Sequence, residues 1–242
     1  MQDPSLLPGG KCDIIVCGDR MKNKPRTIIA LVMNLLVAVV TADIVVSYFF
    51  EQPSLLMKHG YETFRFFTTD SNILAAIACL ITAFFEIQML LGKRESLPRA
   101  AVLLKYVAAV SVMLTFLTVM LFLAPLYGVG LIAGTYFHVH VAAPLMVLLS
   151  FSLLEATLRL RFREMLLGLI PMAVYGAVYL TAVVIVGEEN GGWPDFYQFN
   201  QGGRWWITIP VMLAGTFVIC LLTALFNNLC LKRLRNNRGP AD

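Results

Sequence analysis

Charge is scarce in this sequence. Asp, Glu, Lys and Arg together make up 14% of its 242 residues, against roughly a quarter in an ordinary soluble domain. A solvated globular surface is therefore excluded, and so is the strongly basic surface that nucleic acid requires. Histidine is scarcer still, with His59, His138 and His140 as the whole supply. His138 and His140 are two apart, so an undistorted helix points them about 200° from each other. That shortage disfavours a haem or a zinc centre.

Cysteine is also sparse, at 12, 17, 79, 220 and 230. Cys12 and Cys17 have no second pair nearby to complete a metal pattern, and reduced thiols are the expected state. Cys79 and Cys220 fall inside apolar stretches as packing residues. Cys230 lies beside basic residues, in a position compatible with palmitoylation. No cofactor and no metal are expected.

What the chain has instead is apolar length. Hydrophobic residues make up 58%, and the mean hydropathy is +0.74. Six long apolar stretches run over 26–50, 66–92, 100–126, 133–158, 163–187 and 205–231. A helix needs about 20 residues to cross a hydrocarbon core of ~30 Å, and each stretch is long enough. The predicted fold is an all-α membrane protein, a bundle of six transmembrane helices. The predicted organisation is a segment 1–25, a six-helix domain 26–231 and a basic tail 232–242. The apolar run Ile14–Val16 is too short for a cleavable signal, so the first span is expected to act as an uncleaved anchor.

Positive charge marks the cytoplasmic side of short loops. It gathers before span 1 (Arg20, Lys22, Lys24, Arg26), between spans 2 and 3 (Lys93, Arg94, Arg99), between spans 4 and 5 (Arg159, Arg161, Arg163) and after span 6 (Lys232, Arg233, Arg235, Arg238). The 127–132 link has no charge, and the 188–204 link carries Glu188, Glu189 and Asp195 against Arg204. Both termini are therefore expected in the cytoplasm, the host being a plasma or bacterial inner membrane. The net charge of +4 follows from this bias and favours anionic lipids of the inner leaflet.

Two links carry further signals. Residues 51–65 mix apolar and charged side chains, as a short interfacial helix does. The 188–204 link is broken by glycines and Pro194 and is rich in aromatics, which suits either a cap over the outer mouth or a belt at the membrane boundary.

Polar groups inside spans are expensive and usually face the bundle interior or a cavity. Counting ~1.5 Å per residue from each midpoint, Asp43 sits roughly 7 Å outward. Thr68, Asp70 and Asn72 sit roughly 10–17 Å outward, and His138 and His140 roughly 9–12 Å outward. Three spans thus converge at one level. Thr68 and Asn72, four apart, share a helix face. His140 precedes Pro144 by one turn, so its carbonyl loses the usual backbone partner.

A threonine hydroxyl beside an imidazole can act as an activated nucleophile. A carboxylate such as Asp43 or Asp70 can orient the imidazole, and Asn72 can donate to an oxyanion. The plainer alternative is that hydroxyl and imidazole only bond backbone carbonyls and neighbouring helices. A second layer, Glu86, Lys105 and Glu155, lies roughly 10–15 Å inward. There Lys105 either pairs with a glutamate or snorkels to the headgroups.

The segments FRFFTTDSNIL and TYFHVHVAAPL resemble a known group. They are similar to the membrane hydrolases of the androgen-induced-gene and androgen-dependent TFPI-regulating protein family and to related bacterial six-span proteins. In that family a threonine follows an aromatic pair near the start of span 2, and a histidine precedes a proline in span 4. The matching residues here are Thr68, after Phe66 and Phe67, and His140, with His138 as the competing choice. The resemblance implies hydrolysis of lipid esters, including fatty acid esters of hydroxy fatty acids, by a Thr nucleophile and a His base. The implied partners are a lipid or lipid-like substrate and the bilayer. Two other classes compete. One is a transporter or channel using Asp43, Glu86 and Glu155; the other is an accessory subunit of a membrane complex.

Overall fold

The computed structural model describes residues 10–50 and 60–236, with the backbone alone at 10–23, 201 and 235. His59, most of the 51–65 link and the side chains of Cys12 and Cys17 lie outside the described residues. Six helices are long and apolar enough to cross a membrane. They are α1 (Gly10–Ser47, apolar over Lys24–Ser47), α2 (Phe67–Leu90), α3 (Arg99–Tyr127), α4 (Thr135–Leu154), α5 (Phe162–Val186) and α6 (Trp205–Asn236, apolar over Trp205–Leu234). No strand occurs among the described residues.

Several boundaries differ from the sequence reading; α6, for one, runs on to Asn236 rather than 231. Helix α1 runs back through Pro25 to Gly10 rather than beginning at 26. Helix α4 stops at Leu154 rather than 158, because Glu155 leaves helical geometry (φ −110°, ψ 7°). Its carboxylate is drawn inward there to Asn34 and Lys105.

Helix α3 is the centre of the bundle and packs against α2, α4, α5 and α6. Its buried residues include Ala101, Ala108, Ala109 and Ser111. Such small side chains let neighbouring backbones approach closely where no hydrophobic force drives helices together. Tyr106 ties this centre to two neighbours, donating to the carbonyls of Met165 (2.8 Å) and Cys220 (3.1 Å). Large apolar residues such as Val32, Phe84, Leu121, Val174 and Leu222 point outward, as a bundle solvated by lipid requires.

The helices alternate in direction, so the molecule has two faces. One carries the basic links 91–98 and 155–161. The other, the cap face, carries the links before α2, α4 and α6. Helices α3 and α4 each widen into a π turn next to a proline. Ala124 N–H bonds the carbonyl of Val119 just before Pro125, and Ala143 N–H bonds that of His138 just before Pro144. A proline cannot supply the i→i−4 bond, and the helix answers with i→i−5 bonds.

The 188–204 link folds over the cap face. Asp195 organises it, accepting from Phe199 N–H (2.7 Å), Asn200 N–H (2.8 Å) and the Tyr179 hydroxyl (3.0 Å). Trp193, Phe196, Tyr197 and Phe199 surround the Tyr179 ring at centroid distances of 5.0–6.1 Å. The strap returns to α5 at Gly192, where an added Cβ would stand 2.1 Å from the Ala182 carbonyl oxygen. Of the 51–65 link, the described part is a 3-10 turn, Gly60–Arg65.

Candidate functional site

Thr68 is the second residue of α2, so it lies in a turn whose backbone N–H groups have no helical acceptor. One of those groups is taken from outside the helix: Phe67 N–H donates to the Tyr197 hydroxyl of the strap (3.2 Å). Tyr197 also stands beside the side chains of Thr68 and Tyr175. Burial pushes its phenol up to about 12, so at neutral pH it is an uncharged hydroxyl able to donate.

His140 approaches the same place from α4. It is buried, and its Nδ1 lies 2.6 Å from the carbonyl oxygen of Leu131. A carbonyl only accepts, so Nδ1 carries the proton and Nε2 is the basic nitrogen. The Tyr136 ring stacks on the imidazole at 5.6 Å, 9° from parallel. Thr68 and His140 both line one cavity of about 360 Å³, with Thr69, Tyr136, Leu131 and Tyr197 among its other walls.

Asn72 joins the two helices without lining that cavity. Its side-chain N–H₂ donates to the carbonyls of Thr68 (2.8 Å) and Val139 (3.1 Å). Both amide protons are thereby committed, so its place is that of a strut between α2 and α4 rather than an oxyanion donor. His138 is half-buried and is not a wall of the cavity; its Nε2 is buried without a partner among the described residues. Asp43 is exposed on α1 and is not a wall of the cavity either. Asp70 lines a different recess, with Ser71, Tyr175 and Trp193. A backbone carbonyl, not a carboxylate, therefore orients the imidazole.

Two contributors escaped the sequence reading. Tyr197 is 130 positions from Phe67, and its aromatic neighbours gave it the look of boundary residues. The Leu131 carbonyl belongs to the backbone and leaves no mark in residue type.

The inner polar layer is a separate cluster joining four helices. Asn34 of α1 donates to Glu86 of α2 (3.0 Å) and Glu155 (2.8 Å), just past the end of α4. Lys105 of α3 donates to Asn34 Oδ1, to Cys79 Sγ (3.3 Å) and to Glu155 (3.3 Å). Lys105 is 1% exposed, so it does not snorkel. One amine thus faces two carboxyl groups away from water, and one oxygen of Glu155 has no partner among the described residues. Among the described residues no group of three or more His, Cys, Asp or Glu side chains is placed to hold a metal ion.

Compared with protein families, with curated proteins and with solved structures, the chain matches none.

Proposed function

We propose that the chain is a multi-pass membrane hydrolase of lipid esters, with Thr68 as nucleophile and His140 as base. The observation that carries this reading is the shared cavity: Thr68 and His140, from different helices, line one space, and the imidazole is held by its other nitrogen. The chemistry follows from these positions. Thr68 Oγ attacks the ester carbonyl carbon while His140 Nε2 takes the hydroxyl proton. Negative charge on the carbonyl oxygen develops at the first turn of α2, the positive end of the helix dipole, with the Tyr197 hydroxyl at hand. The tetrahedral intermediate collapses, the ester C–O bond breaks, and His140 returns the proton to the leaving alcohol. Water, activated by the same imidazole, then releases the acid from Thr68. The resemblance of the α2 and α4 motifs to the androgen-induced-gene hydrolases supports the same pairing, and the bias of positive charge supports an outer-leaflet position for this site.

A fluorophosphonate probe tests the reading. Labelling is expected on Thr68 by mass spectrometry, with none in Thr68→Ala and loss of labelling in His140→Ala. Full ester turnover by purified Thr68→Ala would end it.

A second reading rests on the buried cluster of Glu86, Lys105 and Glu155. Buried titratable groups of this kind serve ion and proton pathways in other membrane proteins. Proton flux into proteoliposomes that disappears in Glu86→Gln, with no ester turnover, would favour it.

A further inference from the structure

Thr68 lies on the wall of two cavities, not one. Leu123, Tyr127, Phe196 and Tyr197 are also walls of both, so the two spaces adjoin at Thr68. The cavity that holds His140 adds Tyr48, Thr63, Thr69 and Tyr136, a wall with several hydroxyls. The other, of about 390 Å³, is lined chiefly by apolar residues such as Leu114, Val119, Met172 and Met212, with Gly176 also in its wall. Its rim includes Phe122, Leu126 and Val211, which are 63%, 68% and 61% exposed on the outside of the bundle. The apolar cavity therefore opens sideways, towards lipid. The π turn at Val119–Leu123 before Pro125 lies along this opening in α3.

The chemistry decides which arm of an ester goes where. The base must return its proton to the leaving alcohol, so the alcohol has to depart on the side of His140. The acyl group stays on Thr68 and must lie on the other side. We propose that the apolar cavity between α3, α5 and α6 is the acyl-chain site, and that the His140 cavity receives the alcohol arm. Both spaces have the size of ordinary ligand pockets. This assignment rests on the hydrolase reading and specifies it.

Gly176 gives the test. A Cβ built there meets nothing nearer than Met172 Cε at 3.9 Å, so a larger side chain can grow into the acyl space. Wild type, Gly176→Phe and Met212→Trp are compared on 4-methylumbelliferyl butyrate, octanoate and palmitate in proteoliposomes. Their melting temperatures report whether each variant folds. The wild type is expected to prefer the longer chains. Either folded variant should lower kcat/KM for palmitate on the order of tenfold relative to butyrate. In parallel, a diazirine-bearing palmitate is expected to crosslink to 172–176 and 211–212 in wild type and Thr68→Ala, and not in Gly176→Phe. A diazirine-bearing phosphatidylcholine that labels these positions equally well would mean that bulk lipid fills the groove, and would overturn the assignment. Ester turnover whose chain-length preference is unmoved by both variants would also overturn it, while leaving the hydrolase reading intact. Crosslinking in the cavity without turnover of any ester would end the hydrolase reading and the alcohol arm with it.

Discussion

At the scale of single residues, the imidazole of the proposed Thr68–His140 pair is held by backbone. His140 takes its tautomer from the Leu131 carbonyl, a partner that no side-chain substitution removes. His140→Ala should lower ester turnover by at least about a hundredfold, the ordinary contribution of a positioned base. Thr68→Ala should do the same, and the double variant should be no worse than either, because the two act as a unit. Thr69 shares the cavity wall, so the site of the fluorophosphonate adduct discriminates between the two hydroxyls; Thr69→Ala should retain labelling. Asn72→Ala is expected to act differently. It leaves the carbonyls of Thr68 and Val139 without their buried donor, which should cost about 1–3 kcal/mol. A fall in melting temperature accompanying any fall in activity would mark it as a strut. An unchanged melting temperature with lost activity would return Asn72 to the chemistry.

At the scale of elements, two devices shape the cap face. The first is the π turn before a proline, used in both α3 and α4. In α4 it holds His138 and His140 in a widened turn, and His140 becomes the cavity residue. Pro144→Ala restores a backbone donor at 144 and should let the turn relax towards α-helical bonding. Lower turnover with KM little changed is the expected result, since the base and not the binding surface is displaced. The second device is the close return of the strap at Gly192. Gly192→Ala would place Cβ against the Ala182 and Gly187 carbonyls at 2.1 and 2.7 Å, so the strap must lift. With Trp205 and Trp206 replaced by Phe, Trp193 fluorescence should become more accessible to acrylamide in Gly192→Ala than in its Gly192 parent. Equal quenching would show that the strap does not depend on this contact.

At the scale of the whole molecule, the buried cluster decides how four helices sit together. Lys105→Met leaves Glu155 buried without its cation, and the expected loss is about 3–5 kcal/mol. Replacing Lys105, Glu86 and Glu155 together by apolar residues of similar volume should recover most of that loss, because the desolvation cost leaves with the charges. Failure of the triple variant to recover would point to a role for the charges beyond stability. Orientation in the membrane is tested by single cysteines at Val129, Asn190 and Ser96 in a background lacking the native five. The first two should react with an impermeant maleimide in intact cells, and the third should not. The reverse pattern would place the Thr68 cavity in the inner leaflet.

How much of this was legible in the sequence depends on the range of each interaction. The six helices were legible because the length of an apolar run is a local property that a bilayer reads directly. The convergence of Thr68, Asn72 and His140 at one level was legible too, because depth follows from position within a span. Rotation about the helix axis was not: His140 and not His138 lines the cavity in a helix widened at a turn set by backbone bonds. Asp43 carried the same sequence signal as Asn72, yet it lies on the exposed side of α1. Tyr197 reaches the start of α2 only because Asp195 and the Tyr179 cluster fold a distant loop over it. Which helices are long and apolar enough to cross a membrane was determined by the chain itself through hydrophobicity. Which of them meet was decided by packing, where π turns, small residues on α3 and a folded strap set the last rotation of each side chain.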